Sequence, residues 1–141
     1  MSILESVQER LHRHRDRSFL KAAMAASALA AYADGTVSLS ERYSIDEMLS
    51  NIERLKIHDP HKAIQILNEY LHALQDNPET AQVVLIGKLK RIAGDREAAD
   101  LIARIALAIC YADGQFNYAE RLQFDEICQT LGLDAKELSS A

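Results

Sequence analysis

The 141-residue chain reads as an all-α protein, a single-domain bundle of about seven to eight helices. Three observations point there. Apolar residues recur at alternating three- and four-residue spacing along nearly the whole length. The composition is rich in Ala, Leu and Ile, with two Pro, five Gly and no Trp, which favours helices over strands joined by turns. Third, YADGTVSLSER from Tyr32 returns as YADGQFNYAER from Tyr111, 79 residues later. A chain with 48% apolar and 26% charged residues is long enough to bury one core and too apolar to stay disordered.

The helices are taken in order. A first amphipathic segment covers about 2–17, with Ile3, Leu4, Val7 and Leu11 on one face. A second, rich in Ala, covers about 18–33, and its small side chains let a neighbouring helix approach closely. It stops at Asp34-Gly35, where Gly takes a left-handed C′ position. The third begins after Ser38, whose Ser-x-x-Glu with Glu41 has capping-box form, and turns Ile45, Met48, Leu49 and Ile52 inward. The fourth starts at Pro60, runs to about Asp76 and buries Ile64, Leu67, Leu71 and Leu74. The fifth follows Pro78 and ends at Gly94. The sixth, about 96–112, is apolar nearly all round and is expected to be the central, most buried helix. Asn117 and Glu120 cap the seventh, whose inward face is Phe124, Ile127, Cys128 and Leu131. Asp134 and Glu137 open a short last helix.

The 79-residue offset extends beyond the motif. Ile45, Met48, Leu49 and Ile52 map onto Phe124, Ile127, Cys128 and Leu131, and Asp46-Glu47 maps onto Asp125-Glu126. The domain, residues 1–141, is therefore expected to hold two repeats, about 18–54 and 97–133, related by a pseudo-two-fold axis. Helices at 1–17 and 55–94 flank and connect them. Two copies are too few for a stacked solenoid.

The repeated loop compares with half of an EF-hand. Asp34, Gly35, Val37, Ser38 and Glu41 fall on loop positions 5, 6, 8, 9 and 12, and Asp113, Gly114, Phe116, Asn117 and Glu120 do the same. Positions 1 and 3 fail, being Ala30 and Tyr32 in one copy and Ile109 and Tyr111 in the other. One loop offers about five oxygens where calcium takes about six to eight. Waters complete the shell, or the two loops share acids. Asp34 and Asp113 each follow a helix C-terminus, where the dipole disfavours an anion by about 0.3–1 kcal/mol. The same misplacement twice invites an explanation. A turn-and-cap reading needs no metal, because Asp-Gly is a common turn pair and Ser/Asn-x-x-Glu a common cap.

The Ala-rich helix running into AAYADGTVSLSER, an amphipathic helix after it and a second CYADGQFNYAER resemble the TerB family of tellurite-resistance proteins. Related domains stand at the N-terminus of membrane-anchored DnaJ-like co-chaperones. The resemblance covers about residues 18–133. It implies an all-helical fold, a cytoplasmic bacterial stress protein and a divalent cation on Asp34, Glu41, Asp113 and Glu120, with Ser38 and Asn117 as weaker candidates. Calcium or magnesium suits these oxygen donors better than zinc.

Other features bound the function. A net charge of −5 argues against nucleic-acid binding. The one basic stretch, RLHRHRDR, makes residues 1–21 net +2 and leaves −7 on the rest. Arg10, Arg13, Arg15 and Arg17 are its candidate docking residues, for an acidic protein partner, an anionic lipid surface or another copy. Cys110 and Cys128 read as small buried hydrophobes. The N-terminus lacks the apolar segment of a signal peptide, and the longest apolar run, 98–112, carries Asp100 and Arg104, so a cytoplasmic protein is expected. His58 and His61 read as a solvated loop, and Arg42–Asp46 and Arg121–Asp125 as surface ion pairs. No phosphate loop, nucleophile elbow or HExxH motif is present, so no enzyme and no organic cofactor are expected. Two alternatives stand beside a cation-binding stress protein with protein partners. One is a metal-independent interaction module, and the more remote one is a metal-dependent hydrolase.

Overall fold

The computed structural model describes residues 2–33, 38–52, 55, 58–112 and 116–139, with backbone alone for 9–15. Among these, seven helices and no strand occur: α1 Ile3–Ala31, α2 Leu39–Asn51, α3 Pro60–Asp76, α4 Pro78–Ile92, α5 Arg96–Cys110, α6 Tyr118–Leu131 and α7 Ala135–Ser139. The expected all-α bundle is what forms. No described helix is long and apolar enough to cross a membrane.

The caps are those the local chemistry dictates. Asp59 Oδ1 accepts from His61 N at 3.0 Å, Asn77 Oδ1 from Thr80 N at 3.3 Å and Asp95 Oδ1 from Ala98 N at 3.1 Å. Asn77 ends α3 and caps α4, and Pro78 occupies the first turn where its missing N–H costs nothing. Gly132, at φ 76°, ends α6 with Leu133 N donating to Cys128 O at 2.8 Å and Gly132 N to Gln129 O at 3.2 Å. That pair of bonds is a Schellman cap, and the left-handed φ is why a glycine stands there.

Four expectations are corrected. The segments 2–17 and 18–33 are one 29-residue helix rather than two. In the second half, Gly94-Asp95 separates α4 from α5, and Asp95 caps the new helix. At the 79-residue offset the first half has Arg15-Asp16, with no residue that ends a helix, so α1 continues. Second, the most buried helix is the C-terminal half of α1, where every residue from Phe19 to Ala31 except Lys21 is buried. Its alanines let α3, α4, α5 and α6 all pack against it. α5 instead keeps a solvent stripe that includes Arg104 and Ala108. Third, the apolar face at the start of α1 is not in the core: Ile3 is 86% exposed, and Leu4 and Val7 are also exposed. Fourth, neither Arg42–Asp46 nor Arg121–Asp125 pairs, whereas Asp100 and Arg104 meet at 2.8 Å. The base precedes the acid in the two failed pairs and follows it in the one that forms, the order that the helix dipole favours.

The remaining inward faces match their sequence pattern. Ile45 and Leu49 of α2, Leu67, Leu71 and Leu74 of α3, and Phe124, Ile127, Cys128 and Leu131 of α6 are buried. Met48, Ile52 and Ile64 are half-buried against the same core. Cys110 and Cys128 are both buried free thiols.

Candidate functional site

The two loop exits are built alike. Ser38 N donates to Glu41 Oε1 at 2.8 Å, and Glu41 N donates to Ser38 Oγ at 3.1 Å. In the second copy Asn117 N donates to Glu120 Oε1 at 3.3 Å, and Glu120 N to Asn117 Oδ1 at 2.8 Å. Both are complete capping boxes, in which each side chain satisfies a helix-end N–H.

What distinguishes these boxes is depth. A glutamate in the first turn ordinarily reaches into solvent, yet Glu41 is 4% exposed and Glu120 2% exposed. They are the only buried carboxylates among the described residues. Each heads the inward stripe of its helix, Glu41 before Ile45 and Leu49, Glu120 before Phe124 and Cys128. Along residues 41–50 and 120–129 burial agrees position for position, except that Met48 is half-buried and Ile127 buried. The two segments therefore share a burial pattern. The packing partners differ: α2 rests on α5 and α3, while α6 rests on α5, α4 and α1.

Asp34 and Asp113 lie outside the described residues, as do the side chains of Arg10, Arg13 and Arg15. Arg17 is described and exposed. The side-chain oxygens of Ser38 and Asn117 each accept a helix N–H, so both act first as caps. Among the described residues no group of three or more His, Cys, Asp or Glu gathers as a metal cluster. Glu41 and Glu120 are nonetheless fitting donors. Their Oε1 atoms are held in place by the cap N–H groups, which fixes where each carboxylate presents its oxygens.

The surroundings of the loops are specific. Tyr111, before the second loop, packs against Phe116, after it, with ring centroids 4.8 Å apart and planes tilted by 45°, and Phe116 meets Phe124 edge-on at 6.0 Å. The Arg121 guanidinium lies 5.1 Å over the Phe116 ring, in the place of a hydrophobic staple and instead of pairing with Asp125. The two ends of the second loop are thereby pinned together. At the first loop, Tyr32 and Ala33 share a cleft of about 240 Å³ with Gln82 of α4 and Gln123 of α6. Gln123 lies three residues after Glu120, so the entrance to the first loop stands beside the helix that the second loop starts. Gln82 Nε2 bridges Gln123 Oε1 at 3.4 Å and Glu126 Oε2 at 3.2 Å, while Gln123 Nε2 is buried without a partner among the described residues.

A feature outside the inward stripes stands beside each loop exit. Leu39 and Tyr43 of α2 are 86% and 65% exposed, and their counterparts Tyr118 and Leu122 of α6 are 75% and 52% exposed. Each pair is one turn apart on the helix that leaves a loop. The signal was present as two apolar residues at equivalent positions, outside the inward stripe.

His58 and His61 do not come together. His61 is exposed, whereas His58 is half-buried, lines a different cleft and has a sealed Nε2 with no partner among the described residues. The expectation of a solvated pair thus holds for His61 alone.

An all-α bundle in which two helices start with buried-glutamate capping boxes, each preceded in sequence by Tyr-Ala-Asp-Gly, is a small helical domain. The family described as tellurite resistance protein TerB matches residues 20–141, and the chain belongs to that family. Comparisons with curated proteins and with solved structures gave no match. The first 19 residues, with the exposed apolar face and the arginine-rich turns of α1, lie outside the matched region.

Proposed function

We propose that this TerB-family protein is a non-enzymatic cytoplasmic stress protein that binds a divalent cation weakly and acts through protein partners. Asp34 with Glu41, and Asp113 with Glu120, hold the ion. The observation that carries the reading is the burial of Glu41 and Glu120, the two buried carboxylates of the described chain, at equivalent positions of a repeat. Each stands seven residues after a repeated aspartate, so one cation would be shared by two acids of the same segment. All the donors are oxygens, which suits calcium or magnesium rather than zinc. The donor set of one loop falls short of a calcium shell, and with one oxygen of each glutamate already in the cap, waters complete the coordination and keep affinity low.

The test is titration calorimetry with Ca²⁺, Mg²⁺, Mn²⁺ and Zn²⁺ on the wild type and on an Asp34→Asn/Asp113→Asn variant. The proposal predicts saturable heat for Ca²⁺ or Mg²⁺ that the variant loses. Equal binding in both proteins, or none in either, sinks it.

A second reading, a metal-independent interaction module, draws support from the repeated exposed pairs Leu39/Tyr43 and Tyr118/Leu122. Exposed apolar residues at matched positions suit a protein contact made twice. This reading predicts no rise in melting temperature with any of the four cations.

A further inference from the structure

Away from both loops, α1 and the start of α3 enclose a cleft of about 210 Å³ lined by Arg17, Leu20, Lys21, His58, Asp59, Lys62 and Ile66. Its floor is apolar, with Leu20 buried and Ile66 half-buried, and its rim carries three permanent cations. Among the described residues the side chains of Arg17, Lys21 and Lys62 make no hydrogen bond or ion pair. The only acid lining the cleft is Asp59, and its Oδ1 already accepts the His61 N–H at 3.0 Å as the cap of α3. His58 presents a further nitrogen, Nε2, which is buried and without a partner among the described residues.

This arrangement runs against the composition of the chain. Acids outnumber bases 21 to 16, so a random gathering of three bases would ordinarily include acids to pair with them. Arg17 and Lys21 also stand at an i,i+4 spacing, where like charges repel, and Lys62 is brought in from a second helix. A sealed imidazole nitrogen left without a partner adds a further cost. An anion in the cleft would offset both. The volume is several times the roughly 30 Å³ of a water molecule, enough for a tetrahedral oxyanion with some of the group attached to it. The start of α3 contributes the positive end of its dipole to the same place.

We propose that this cleft binds a phosphate group, with Arg17, Lys21 and Lys62 neutralising its charge and His58 donating to one oxygen. The phosphate is either free in solution or on the headgroup of an anionic lipid, and the two sources are distinguished by experiment. The site is independent of the loops and does not rest on the cation reading.

The test measures inorganic phosphate binding by calorimetry at low salt, and vesicle binding by sedimentation with phosphatidylglycerol against phosphatidylcholine vesicles. The proteins are the wild type, Lys21→Ala/Lys62→Ala and the charge-preserving Lys21→Arg/Lys62→Arg. All three residues of the rim are exposed, so the variants are expected to fold, and their melting curves check this. Saturable phosphate binding that weakens at least tenfold in the alanine variant and survives in the arginine variant supports a site for free phosphate. Binding to phosphatidylglycerol vesicles alone, with the same dependence on the variants, supports a lipid headgroup. Absence of both, or binding that persists in the alanine variant, overturns the proposal.

Discussion

Replacing Glu41 and Glu120 by Gln separates a cap from a cation ligand. Gln keeps the oxygen that accepts the Ser38 and Asn117 N–H groups, and it is itself a capping-box residue, so the helix starts survive. Without cations two effects oppose each other. Hydrogen bonds to a charged acceptor contribute about 1 kcal/mol more than those to a neutral one, and the lost charge at the helix N-terminus removes about 0.3–1 kcal/mol. Relief from burying a carboxylate acts the other way. The metal-free protein is therefore expected to stay within about 1–2 kcal/mol of the wild type at each site. Cation changes this. An ion at a hundred times its dissociation constant stabilises the protein that binds it by about 2.7 kcal/mol, and the variant that has lost its ligands gains little. Urea unfolding followed by circular dichroism, with and without Ca²⁺ or Mg²⁺ at matched ionic strength, reads the difference. The gap between wild type and double variant should widen by that amount. A gap that stays constant at every cation concentration refutes the ligand role and leaves only the cap.

Further outcomes follow from the backbone and from Cys128. Gly87 stands within α4 where an added Cβ meets nothing within 4 Å, so Gly87→Ala should stabilise by about 0.5–1 kcal/mol in urea melts. Gly132→Ala also meets no atom but forces a side chain onto φ 76°, and it should destabilise by about 1–2 kcal/mol. Burial, then the charges of Asp125 and Asp134, push the Cys128 thiol from 9.0 up to about 12. The folded thiol keeps its proton where the unfolded one has lost it. Its contribution is thus complete below about pH 9 and disappears as pH rises to about 12, so stability should fall across that window and fall less in Cys128→Ala. At pH 8 a disulfide reagent should label this residue only as fast as the chain opens.

The parts of the molecule that could be read from sequence are those with local causes. Ser38 with Glu41, Asn117 with Glu120, Pro60 and Pro78 each set a helix start through residues at most three positions apart, and each stands where expected. The inward stripe of α6 was equally plain, since its period alone specifies the face. The fused α1 was not, because Ser18 resembles a helix start while nothing at Arg15-Asp16 ends the previous one. The alanines from Ala22 to Ala31 were legible as a surface that lets a neighbouring helix approach, but not as the centre of the core on which four helices pack. The depth of Glu41 and Glu120 could not be foreseen, since a capping box specifies bonds and not burial. The phosphate cleft was invisible for a topological reason. Residues 17–21 and 58–62 meet only once α1 and α3 pack, and in the linear sequence His58 and His61 read merely as a solvated loop.

The cation proposal is a statement about place, and paramagnetic Mn²⁺ reports place. In an ¹⁵N-labelled sample, substoichiometric Mn²⁺ should broaden the amides of Ser38, Glu41, Asn117 and Glu120 before any others, and excess Mg²⁺ or Ca²⁺ should restore them. Broadening spread over the exposed acids Asp46, Glu47, Asp125 and Glu126, with the loop exits left sharp, would contradict it.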